Sequence, residues 1–135
     1  MTFTEAIRTC FQKYATFSGR ARRSEFWWFV LLNTIVSSAL GRLALMGDGN
    51  TIFSALESLW SLALFIPSLA VAWRRLHDIG KSGSNWFWCF LPIVGWIMLI
   101  VWYARPGVDG ANQYGPDPKN PDVVYTQEER PPWEN

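Results

Sequence analysis

Three long apolar runs limit what this chain can become. Residues 26–46 make a stretch of 21 whose one charge is Arg42, 52–73 a stretch of 22 interrupted by Glu57 and Pro67, and 86–103 a stretch of 18 with no charge. As helices they would measure about 31, 33 and 27 Å, close to the hydrocarbon thickness of a bilayer. Half of the 135 residues are hydrophobic and nine are tryptophan. A water-soluble core of this size has no use for so much continuous apolar surface. The expected fold class is therefore all-α and polytopic, with spans over 26–46, 52–73 and 86–103 making a transmembrane domain of residues 25–104. The first run starts late and is longer than a signal-peptide core, so it is expected to stay in the protein.

The ends of the chain have a different character. Phe3, Ile7, Cys10, Phe11, Tyr14 and Phe17 recur at steps of three and four, with Glu5, Arg8, Gln12 and Lys13 opposite. That pattern predicts an amphipathic helix in the headgroup plane within a basic segment 1–24. Ser24 is the expected N-cap of the first span, and Gly47-Asp48-Gly49-Asn50 a tight turn after it. From Arg105 to the end, six of eight prolines and six acidic residues fall together, which predicts a disordered tail over 105–135.

Charge placement gives an orientation. Arg8, Lys13, Arg20, Arg22 and Arg23 precede the first span, and Arg74, Arg75 and Lys81 lie between the second and third. Positive-inside bias puts both regions in the cytoplasm, and three crossings then put the carboxyl terminus outside. Arg42 and Glu57 fall about 7 to 9 Å inside the ends of their helices, so they are expected to form an intramembrane ion pair. Glu25, at the start of span one, is expected to pair with Arg74 at the end of span two. Ser54, Ser58 and Ser61 line one side of the second span beside Glu57, at helix-packing spacing.

The segment Trp73-Arg74-Arg75-Leu76-His77-Asp78-Ile79-Gly80-Lys81-Ser82-Gly83 is the densest in chemistry. Gly80-Lys81-Ser82 lacks the earlier glycine and the strand of a phosphate-binding loop. His77 and Asp78 have no nucleophile or second ligand cluster near them in sequence, and Cys10 and Cys89 lack zinc-ligand spacing. The chain is accordingly expected to be no enzyme and to hold no metal or cofactor. Arg20, Arg22, Arg23, Arg74, Arg75 and Lys81, with His77 and Asp78, are expected to form a cytoplasmic face that binds anionic lipid or a partner protein. A homo-oligomer or a membrane-protein partner fits such a chain; a nucleic-acid partner does not. The alternative is a small transporter or channel subunit using Arg42, Glu57 and the serines.

Three blocks carry a resemblance: Phe17-Ser18-Gly19-Arg20-Ala21-Arg22-Arg23-Ser24-Glu25-Phe26-Trp27, then Arg74-Arg75-Leu76-His77-Asp78-Ile79-Gly80-Lys81-Ser82-Gly83, then Pro106-Gly107 through Gly110, Asn112, Tyr114-Gly115 and Pro118. In this order, between apolar runs, they resemble the domain-of-unknown-function 805 family of small bacterial inner-membrane proteins. Ser84-Asn85 departs from relatives that carry an aromatic directly after the glycine. The resemblance implies helical spans in the bacterial plasma membrane and implies no activity.

Overall fold

The computed structural model describes residues 2–46 and 51–118. The described residues form helices and connecting loops and contain no β-strand, only one isolated bridge between Asn112 and Gly115. The first helix, α1 (Phe3–Gln12), starts at a capping box in which Thr2 and Glu5 each bond the other's backbone amide. Its apolar side packs on the next helix rather than facing lipid alone. Ala6 and Cys10 are buried, and Phe3 and Phe11 meet Trp28 and Phe29 edge-on at ring separations of 5.5 and 6.4 Å.

Two long helices, α2 (Arg23–Met46) and α3 (Thr51–Asp78), pack side by side, and both are long and apolar enough to cross a membrane. Residues 47–50, where a tight turn is expected, lie outside the described residues. Trp60 donates its indole hydrogen to Asn33 Oδ1 at 2.9 Å between the two helices, and Phe26, Phe29, Leu64, Val71 and Leu76 form the heart of the core. Leu45, Met46, Leu59, Leu62 and Phe65 point outward. So much exposed apolar surface is costly in water and costs nothing against acyl chains.

Both helix ends differ from expectation. Ser24 sits inside the first turn of α2 rather than capping it, because the helix already starts at Arg23. α3 does not stop at Trp73 but carries Arg74 and Arg75 on to Asp78. Those charges end a hydropathy count without ending a helix, since partners described below neutralise them. Pro67 lies inside α3 and has no amide hydrogen to give the carbonyl of Ala63; the Tyr14 hydroxyl donates to that carbonyl instead.

The third apolar run is not one helix. Residues 86–103 are divided between a 3-10 helix (Gly83–Phe90) and α4 (Val94–Ala104), with Leu91, Pro92 and Ile93 turning the chain between them. Pro92 cannot extend the hydrogen-bond ladder, and Ile93 has a φ of 64°, which helical backbone excludes. The arms stay together because Trp96 Nε1 donates to Cys89 O at 2.8 Å and because a Cβ at Gly95 would overlap Trp88 O. With 8 and 11 residues, each arm is about 16 Å long and neither reaches across a bilayer core. The last turn of α4 returns to the edge where α2 starts and α3 ends: the Tyr103 ring lies 4.4 Å from that of Phe26.

Candidate functional site

At that common edge the three sequence blocks build one polar cluster. α3 ends in a Schellman-type turn, with Lys81 N bonded to Leu76 O at 2.9 Å and Gly80 N to His77 O at 3.0 Å. Gly80 has a φ of 78°, a conformation that favours glycine. The last carbonyls of α3 then accept from elsewhere in the chain: Asp78 O from Val108 N at 2.8 Å, and His77 O from Asn112 Nδ2 at 2.8 Å. Residues 105–118 are thus strapped onto the end of α3, which corrects the expectation that disorder begins at 105. Glycine and proline here make turns rather than loosen the chain. The remainder of the expected tail, 119–135, lies outside the described residues.

Asp78 is the hub. Arg20 places Nε and Nη2 each 2.9 Å from Asp78 Oδ1, and Arg75 Nη1 lies 2.5 Å from Oδ2. Neither guanidinium stops there. Arg20 donates to the carbonyls of Val108 and Gly110, while Arg75 donates to Tyr103 O at 3.1 Å and to Arg105 O. Arg75 therefore caps the free carbonyls at the end of α4, where a cation also suits the helix dipole. Gly107 passes so close that a Cβ there would overlap the Asp78 carboxylate. Arg75 and Asp78 are 0% and 1% exposed, so each charge depends on the others for its solvation.

A second buried pair lies beside the first. Arg74 Nη1 meets Glu25 Oε1 at 2.6 Å, and its Nε donates to Thr16 O at 3.1 Å. Cys10 points its thiol at the same carboxylate oxygen, 3.8 Å away. Burial, and after it the negative Glu25, pushes that thiol up to about 12. His77 bonds Gly19 O through Nδ1 at 2.9 Å and stacks flat on Tyr114, with ring centroids 4.0 Å apart.

The residues singled out in the sequence divide clearly. Arg20, Arg74, Arg75, His77 and Asp78 are buried in the cluster, so they are not a headgroup-facing ring; Arg22 and Lys81 are half-buried and Arg23 is exposed. Lys81 Nζ sits 4.7 Å above the Trp102 ring, and Arg23 Nη1 donates to Ala104 O at 3.2 Å. Arg42 and Glu57 are not brought together: Arg42 is exposed, Glu57 is half-buried, and among the described residues no ion pair joins either to a partner. Ser58 returns its hydroxyl to Ser54 O at 3.0 Å. No three potential metal ligands converge among the described residues.

Sequence reasoning missed the partners supplied by the third block. Asn112, Tyr114, Asp117 and the carbonyls of Val108 and Gly110 all act in the cluster. Their signal was present in Gly107, Gly110, Asn112 and Tyr114, residues of turns and specific bonds that a composition count reads as looseness.

The family described as protein of unknown function (DUF805) matches residues 14–116. Inner membrane protein YhaI of Escherichia coli (strain K12) is 43% identical over 108 residues, covering 80% of this chain and 90% of that protein. Inner membrane protein YhaH of the same strain is 40% identical over 116 residues, 80% of this chain and 91% of that protein. The uncharacterized protein YiiR of that strain is 35% identical over 99 residues, 69% of this chain and 60% of that protein. No solved structure matches. The matched span contains both long helices, the broken hairpin and the arginine–aspartate cluster, and the chain belongs to this family of bacterial inner-membrane proteins.

Proposed function

We propose that this chain is a non-enzymatic inner-membrane protein that crosses the bilayer twice, keeps both ends in the cytoplasm and offers its outward-facing cations to anionic lipid headgroups. One observation carries the topology: the cluster ties residues 16–25, 74–81 and 103–117 to a single edge of the helices. Whichever side holds the amino terminus then also holds the segment after α4, and the broken hairpin enters and leaves by that side. Every lysine and arginine of the sequence except Arg42 falls in those segments or on the chain that continues from them, which positive-inside bias makes cytoplasmic. This reading replaces the extracytoplasmic carboxyl terminus that three crossings require.

The lipid reading moves from the buried arginines to their neighbours. Arg8, Lys13, Arg23 and Arg105 are exposed around the cluster, and a cation at that level is worth about 1 kcal/mol toward an anionic leaflet. The non-enzymatic reading is supported by how His77 and Asp78 are held. Both carboxylate oxygens face guanidinium groups, and the imidazole commits Nδ1 to Gly19 O and one face to Tyr114, so both side chains are engaged in holding the cluster together.

Green fluorescent protein fused after Asn135 should fluoresce in cells, and alkaline phosphatase fused there should stay inactive; the opposite result removes the two-crossing topology. Protein extracted in polymer-bounded lipid discs should be enriched in phosphatidylglycerol, and replacing Arg8, Lys13, Arg23 and Arg105 by Gln should abolish the enrichment. Unchanged enrichment rejects the lipid reading. A stoichiometric protein lost with the same substitutions would instead identify a partner protein as the occupant.

A further inference from the structure

We infer that the outer halves of α2 and α3 form an interface with a second copy of this chain, in which Arg42 of one copy pairs with Glu57 of another. The broken hairpin is half a bilayer deep, so beyond its turn two helices stand in lipid with no third beside them among the described residues. It is there that the chain places its two intramembrane charges. Arg42 lies four residues before the end of α2, about 6 Å in, and Glu57 six residues after the start of α3, about 9 Å in. They are opposite in sign and close in depth, yet they do not meet within one molecule.

The helical geometry explains why. The residues of α2 that turn toward the rest of the protein include Asn33, Val36, Ser37, Leu40 and Ala44, and Arg42 lies on the far side among exposed Ile35, Ser38, Ala39 and Leu45. On α3, Phe53, Glu57, Trp60 and Leu64 share the helical spacing of the inward side, with Glu57 half-buried at its margin. A side chain on the outer face of α2 cannot turn back through its own helix to reach that margin. An Arg42 arriving from a neighbouring copy can. Gly41, next to Arg42 and level with Glu57, has nothing within 4 Å of where a Cβ would stand, so a neighbouring helix finds room there. Charge complementarity therefore favours another copy of this chain over a partner of different sequence: the surface that bears the cation and the surface that bears the anion are both on every molecule.

The test follows from having both charges on each copy. Full-length chains labelled at the carboxyl terminus with donor or acceptor fluorophores are reconstituted into phosphatidylethanolamine and phosphatidylglycerol vesicles, and energy transfer between copies is read at fixed protein-to-lipid ratio. Wild-type copies should transfer well above random proximity. Arg42→Glu chains alone and Glu57→Arg chains alone should each fall to the random level, since every interface then sets like charges together. An equal mixture of the two variants should recover most of the wild-type transfer, because each reversed charge meets its opposite on the other variant. Wild-type transfer at the random level, single variants that transfer like wild type, or a mixture that recovers nothing would each overturn the interface. If the reversed chains fail to insert, Arg42→Gln and Glu57→Gln take their place, and wild-type transfer by both rejects the pairing. The inference rests on the two-crossing topology but fails separately from it, since reporter fusions decide the topology and mixing decides the pair.

Discussion

Tyr14 gives its hydroxyl hydrogen to the carbonyl of Ala63, the acceptor that Pro67 deprives of a backbone amide. A loop residue 49 positions away thus gives that carbonyl the donor that its own helix cannot supply. The contact also holds the end of α1 against α3.

From this comes a double-variant prediction. Tyr14→Phe leaves the carbonyl unpaired and should lower stability by about 1 to 3 kcal/mol, read as a lower unfolding midpoint by tryptophan fluorescence in detergent. Pro67→Ala restores the amide, so adding Tyr14→Phe to that background should cost far less. Equal losses in the two backgrounds would show that the hydroxyl matters for some other reason.

The strap over α3 predicts a strong effect from a small substitution. Gly107→Ala puts a methyl group where the Asp78 carboxylate lies, so either the carboxylate or the strap must move. Limited proteolysis should then cut within 105–118, where the wild type resists. Asp78→Asn should give the same cleavage, because it leaves Arg20 and Arg75 buried without an anion, a change that costs about 3 to 5 kcal/mol. Resistance in both variants would mean that the strap is held without the aspartate.

How much of this was legible from sequence depended on the range of the signal. Length and hydropathy locate α2 and α3, because a bilayer imposes a length that composition registers directly, but they stop at Trp73 where α3 runs on to Asp78. The third run passes the same hydropathy test and still breaks at Pro92 and Ile93, since hydropathy reports what surrounds a residue and not whether its backbone is continuous. Depth alone brings Glu25 and Arg74 to one level. It cannot bring Arg20 to Asp78, which needs the turn at Gly19 and the strap from Val108 to Gly110, and it assigns Arg42 and Glu57 a shared depth without revealing that they face different directions.

The buried Glu25 and Arg74 pair predicts marked non-additivity. Arg74→Met alone strands the carboxylate and Glu25→Leu alone strands the guanidinium, so each should destabilise by about 3 to 5 kcal/mol. With both replaced, no charge remains to be solvated, and the loss should be well below the sum of the two. The unfolding midpoints of the four chains measure this, and strict additivity would show that the two residues act independently despite the 2.6 Å between them.

Cys10 reports on the same pair through its reactivity. Its thiol is raised from 9.0 to about 12, by burial first and by Glu25 next, while the Arg74 charge acts to lower it. At pH 8 the folded protein should therefore hold about a thousandfold less thiolate than an unfolded chain, and in a Cys89→Ser background alkylation should be correspondingly slow. The sign for stability follows. Between pH 9 and 12 the folded state keeps a proton that the unfolded state has lost, so this contribution is complete below pH 9.0 and disappears as pH rises through that window. Glu25→Gln removes an anion and leaves Arg74 facing the sulfur, so the midpoint of the labelling rate should move part of the way down from about 12. A midpoint that fell the whole way to the ordinary thiol value of 9.0 would instead report opening of α1, with labelling of the exposed thiol. The pH profile thus separates an electrostatic link between Cys10, Glu25 and Arg74 from mere loss of packing.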